Sequence, residues 1–106
     1  MPKKGLDKKG DVGLKDKQKH KVEPPKNYKV VLHNDDYTPM EFVSQLLIQI
    51  FHKDEIAAKT ITQHVHTKGR GIAGIYSREI AETKTNEVIT ISQTYGHPLL
   101  ADFEPE

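Results

Sequence analysis

The sequence predicts one small domain of mixed helix and strand, in the order β-α-α-β-α-β, behind a charged N-terminal arm. Three observations carry that reading. A short β-favouring run, Tyr28-Lys29-Val30-Val31-Leu32, ends on the turn formers Asn34-Asp35-Asp36. After it, Met40, Val43, Leu47 and Ile50 recur at three- and four-residue spacing, the stripe of an amphipathic helix. Before it, residues 1–26 hold nine lysines against four acids.

The arm comes first. From Met1 to about Val22 it carries isolated aliphatics at Leu6, Val12 and Leu14, too little apolar area to offset the entropy of ordering a chain. The expectation is a disordered Lys-rich arm over residues 1–25, ending in a stiff Pro24-Pro25 joint, and a folded domain over 26–106. The arm reads either as a solubilising tail or as a segment that a partner grips.

In the first helix, Thr38 at the N-cap, Pro39 at the first helical position and Glu41 two residues on predict a capping box. Phe42, Leu46 and Phe51 widen its apolar stripe. Asp54 is the cap expected for a second helix, with Ala58, Ile61 and Val65 on one face and Gly69 just past its end. Gly71-Ile72-Ala73-Gly74-Ile75-Tyr76 reads as a strand whose glycines imply a close approach of another part of the chain. Ser77 then caps a third helix with Glu79 in its first turn. Val88-Ile89-Thr90-Ile91-Ser92 has the propensity of a strand, yet Ile80, Ala81, Lys84, Val88 and Ile91 keep a helical stripe, so a helix to about Thr94 is expected. Gly96-His97-Pro98 breaks it, and Leu99 to Phe103 forms a last edge strand.

Composition narrows the function. The chain has 106 residues and no cysteine, which rules out disulfides, thiolate metal sites and cysteine nucleophiles. No apolar run approaches the ~20 residues of a membrane span, and the N-terminus lacks a secretory or transit pattern, so a cytoplasmic protein without membrane contact is expected. Outside the arm, seven Lys and Arg face eleven acids. That balance argues against nucleic acid as a partner. No extra apolar face is evident, so a monomer is the default.

Candidate chemistry gathers where the first strand meets the first helix. Asn34, Asp35 and Asp36 place amide and carboxylate oxygens beside Met40 and Val43, which suits a ligand with a cationic head and an apolar side group. An ordinary turn before a helix fits the same residues. Catalytic and metal readings fare worse. Asp35, Asp36 and His66 could be drawn as an acid–base set but lack a nucleophile, and His64 and His66 lie about 200° apart on a helix and cannot share one ion. No cofactor or metal is therefore expected, and no enzymatic activity.

At this point the residues become specific. The run from Tyr28 to Val43 (YKVVLHNDDYTPMEFV) closely resembles the signature of the ClpS adaptor family, and Val65-His66, Gly71 to Tyr76, Ala81-Glu82-Thr83-Lys84 and Gly96-His97-Pro98-Leu99 agree in the right order. The resemblance spans about Pro24 to Leu100 and omits the arm. It implies a compact α+β fold, a three-stranded antiparallel sheet packed by helices. It also implies an adaptor that binds the N-terminal Leu, Phe, Tyr or Trp of substrate proteins and hands them to a ClpA- or ClpC-type unfoldase coupled to ClpP. In the family pattern the α-amine falls to Asn34, Asp35 and His66. The side-chain pocket falls to Asp36, Thr38, Met40, Val43, Val65 and Leu99, with Leu32 as a wall. Many members carry methionine at the pocket gate where this chain has Thr62, which implies a wider gate and weaker rejection of Ile and Val. The unfoldase-facing residues implied are Tyr37, Glu79, Glu82 and Lys84. If a neutral His66 imidazole accepts from the amine, binding falls as pH drops through roughly 6.5. An interaction domain of ribosomal or other type, without this pocket, is the alternative reading of the same element order.

Overall fold

The computed structural model describes residues 26–106, and the expected arm lies outside them. Six elements follow in the anticipated order: β1 (Asn27–His33), α1 (Met40–Gln49), α2 (Glu55–Lys68), β2 (Arg70–Ser77), α3 (Arg78–Thr94) and β3 (Leu100–Pro105). The sheet is three-stranded and antiparallel, ordered β2-β1-β3, so the signature strand lies at its centre. A bulge between Val30 and Val31 leaves Ala73 of β2 without a partner.

Alternation along β1 divides the faces. Val30 and Leu32 are fully buried in a core with Leu46, Leu47, Ala58 and Val88. Burying one such aliphatic contributes about 1.5–3 kcal/mol. The opposite face carries Lys29 and His33, paired with Glu104 (3.5 Å) and Asp102 (3.1 Å) of β3. Arg70 reaches across from β2 to the same Glu104 at 2.9 Å.

The two strand glycines are there for space. A Cβ on Gly71 would lie 2.7 Å from the Val65 methyl of α2, and one on Gly74 would overlap the ring of Tyr76, which folds back along its own strand. The β-branched run after Glu87 is helical, as its stripe requires, with Thr85, Val88 and Ser92 buried against the sheet. α3 closes on Gly96 at φ 77°, where His97 N–H donates to Ser92 O (2.8 Å) and Gly96 N–H to Gln93 O (3.0 Å).

Two caps depart from expectation. Asp54 does cap α2, accepting from Ala57 N–H at 2.7 Å. The Thr38 capping box does not form: α1 begins at Met40 with Pro39 as its cap residue, and the Thr38 hydroxyl turns to Asp35 instead. Donating to that charged acceptor is a strong bond and fixes the hydroxyl's orientation within the loop. Ser77 occupies the N-cap of α3 but makes no capping bond through its side chain.

Candidate functional site

The loop between β1 and α1 is built around one carboxylate. Asp35 Oδ1 accepts from the N–H groups of Tyr37 (2.8 Å) and Thr38 (2.7 Å), and Oδ2 accepts from the Thr38 hydroxyl (2.7 Å). A carboxylate has about four acceptor positions, so one lobe of Oδ2 is left. Burial opposes ionisation of this group. The bonds from the Thr38 hydroxyl, Thr38 N–H and Tyr37 N–H outweigh it, with His97 adding a favourable charge, and the pKa lies below the ordinary 3.8. Asp35 is therefore an anion at neutral pH, already fixed in position.

The loop is tied down from behind. Asn34 N–H donates to Gly69 O at 2.9 Å, and Gly69, at φ 90°, is the left-handed residue that ends α2. This tie brings the last turn of α2, with Val65 and His66, against Asn34 and Asp35. On the other side the Phe42 ring meets His97 edge-on at 4.5 Å, holding the turn that delivers Leu99.

A depression opens between these parts. Asn34, Asp35, Thr38 and His66 contribute its polar side; Met40, Val43, Val65 and Leu99 contribute its apolar side, together with Thr62 and His33. Val43, Thr62, Val65 and Leu99 are buried, whereas Met40 is 41% exposed at the rim. The volume is small, about 10 Å³, room for about one water, so an entering side chain must displace something. A wider groove of about 700 Å³ passes Ile50, Lys84 and Glu87 between α1 and α3, but it is open and gathers no set of oriented acceptors. Chemistry, not size, singles out the smaller one.

The hydroxyls here are engaged as donors. Thr38 donates to Asp35, and Thr62 donates to the Ala58 carbonyl at 2.8 Å. Among the described residues no hydrogen bond takes up the side chains of Asn34 or His66, both exposed. The site thus offers acceptors above an apolar floor and no activated nucleophile.

Several residues implied by the resemblance are placed elsewhere. Leu32 is fully buried beneath the sheet and does not line the depression, because β1 turns its side chain to the core face. Asp36 is exposed in the loop and also absent from the lining. Tyr37 lies in the loop after β1, and Glu79, Glu82 and Lys84 lie in the first half of α3. Tyr37 follows the His33 end of β1, whereas Glu79 follows Ser77, which pairs with Asn27 at the other end, roughly 20 Å along the strand. Lys84 is half-buried and held inside the fold, its ammonium donating to Ile50 O at 2.7 Å and lying over the rings of Tyr76 (5.3 Å) and Phe51 (5.9 Å). His33 lines the depression as well, with no motif of its own to mark it. Its signal was position alone: it ends the strand next to Asn34.

The fold is a small α+β domain whose depression sets oriented acceptors beside apolar side chains. A family model described as ATP-dependent Clp protease adaptor protein ClpS matches residues 23–102. Among similar proteins is the ATP-dependent Clp protease adapter protein ClpS of Clostridium acetobutylicum, 57% identical over 83 residues, covering 78% of this chain and 82% of that protein. That of Paraburkholderia xenovorans is 46% identical over 91 residues, covering 86% and 88%. The structure of Agrobacterium tumefaciens ClpS2 bound to L-phenylalaninamide superposes with a TM-score of 0.76 at 40% identity, covering 78% of this chain and all of that one. The chain belongs to the ClpS family. It is an adaptor of the Clp protease, not an enzyme, and acts with a Clp unfoldase and its substrates. Among the described residues no helix is long and apolar enough to cross a membrane.

Proposed function

We propose that this adaptor binds the free α-amino group and bulky hydrophobic side chain of proteins beginning with Leu, Phe, Tyr or Trp, and delivers them to the N-domain of a ClpA- or ClpC-type unfoldase in the cytoplasm. The observation that carries the reading is the acceptor position left on Asp35 Oδ2, held by three bonds above buried Val43, Val65 and Leu99. An α-ammonium has three donors; Asp35, the Asn34 carbonyl and a neutral His66 nitrogen match them in number. Because the carboxylate is ordered beforehand, little of the charge-assisted bond is lost to immobilisation. The ligand of the Agrobacterium relative, a free amine beside a benzyl group, has both of the required parts.

The apolar half sets selectivity. Burying a Leu or Phe side chain is worth about 1.5–3 kcal/mol, one to two decades of affinity over Ala. With Thr62 rather than methionine in the wall, rejection of N-terminal Ile and Val is weaker than in methionine-gated relatives. Tyr37, Glu79 and Glu82, all exposed, together with half-buried Lys84, are the residues offered to the unfoldase, with the adaptor acting as a monomer.

The test is a fluorescence-anisotropy titration with three peptides: one beginning with Leu, the same peptide N-acetylated, and one beginning with Ala. Binding of the free Leu peptide alone is expected. Equal binding of all three, or of none, would overturn the reading.

A further inference from the structure

One bond beside the depression ties Thr62 to a residue with no role so far, Ser44. Ser44 Oγ lies 2.8 Å from Thr62 Oγ1. The single proton of Thr62 goes to Ala58 O at 2.8 Å, so Ser44 must donate and Thr62 accept. Among the described residues this is the one side-chain hydrogen bond joining α1 to α2. It lies in the seam whose two sides supply Met40 and Val43 from α1, Thr62 and Val65 from α2. Thr62 is only 4% exposed and Ser44 is half-buried, so the bond is partly sheltered from competing water.

We infer that the Ser44–Thr62 bond is a size limit on the N-terminal side chain this adaptor admits, and that Ser44 is a positioning residue for specificity. The inference rests on the N-terminal-residue reading above. The depression holds about 10 Å³ as it stands, so every bulky side chain must open it. The first widening is available at Met40, which is exposed and unbranched and swings out without disturbing a helix. Further widening parts α1 from α2 and stretches the Ser44–Thr62 bond. A slim aliphatic such as Leu needs the first movement; an indole needs both. The bond therefore penalises Trp relative to Leu without touching the amine.

The experiment measures affinities of the full-length chain for free-amine peptides beginning with Trp and with Leu. A net hydrogen bond corresponds to roughly three- to tenfold, so Ser44→Ala should raise the affinity for Trp relative to Leu by about that factor. Ser44→Thr keeps the hydroxyl and should hold the ratio within about twofold. The ratio is indifferent to the fraction of protein folded, which separates this role from a structural one. If Ser44→Ala fails to fold, Ser44→Cys keeps the volume, weakens the donor and leaves the lining untouched, and must shift the ratio in the same direction. An unchanged ratio with the Leu peptide still bound overturns the size limit alone. No binding of either peptide by the unmodified chain overturns it together with the reading on which it rests.

Discussion

The two ends of α1 are finished by opposite means. At its start, Asp35 gathers three donors from its own loop and keeps an acceptor position in reserve. At its end, the chain turns at His52 with φ 57°, and the free Ile50 carbonyl is taken by Lys84 from α3, 34 residues away. Lys53 N–H meanwhile returns to Leu47 O at 3.0 Å. The first end is satisfied locally and faces a depression with acceptors to spare; the second is satisfied from a distance and is closed by Phe51 and Tyr76. On the proposed function the surplus of oriented acceptors serves binding, and their consumption at the other end serves structure.

Four substitutions would break or sharpen that contrast. The largest effect falls on Asp35→Ala, which removes the anion and the loop's organiser together. Affinity for a Leu-initiated peptide should drop about 100-fold or more in a titration, since a charged hydrogen bond and the order around it are lost at once. Lys84→Met should do the reverse, leaving that affinity within about threefold while lowering stability to denaturant by about 1.5–3 kcal/mol, the range for a charged hydrogen bond. A drop in peptide affinity matching that of Asp35→Ala would erase the distinction between the two ends.

The third concerns acid. Asp35 has a folded pKa below its ordinary 3.8, so its stabilising contribution is full above that value and is lost as pH falls through the lower folded one. Melting temperatures of the wild type and Asp35→Asn measured from pH 5 to pH 2 should converge as the carboxyl protonates. Parallel curves would mean that the loop bonds add nothing. The smallest effect is at His52→Gly, which relieves a left-handed residue bearing a side chain and should stabilise by about 0.5–1 kcal/mol in a denaturant melt.

What the sequence made legible was local. The stripe through Val43, Leu46 and Leu47, the Asp54 cap and the Gly69 terminus each depend on neighbours a few residues away, and each appears where spacing put it. The β-branched run of α3 was decided correctly by its stripe because burial against the sheet outweighs propensity. What could not be read were choices between competing partners. Thr38 could have turned its oxygen to a helix N–H, but donating its proton to the Asp35 carboxylate fixed the hydroxyl in the loop instead. Lys84 carries no sequence sign that its ammonium turns inward to a carbonyl 34 residues back. Ser44 and Thr62 meet only because α1 and α2 cross there, so 18 residues of separation hid the pair. Most residues of the depression were legible through family resemblance, whereas spacing alone left Asn34-Asp35-Asp36 as an ordinary turn.

The most direct test of the central claim is an amide NMR titration of the full chain with L-leucinamide, a free amine carrying an isobutyl group. Shifts should concentrate at Asn34, Asp35, Thr38, Met40, Thr62, Val65 and His66, with residues 50–54 and 83–87 unmoved. Shifts centred on the Lys84 end, or none at saturating ligand, would contradict it.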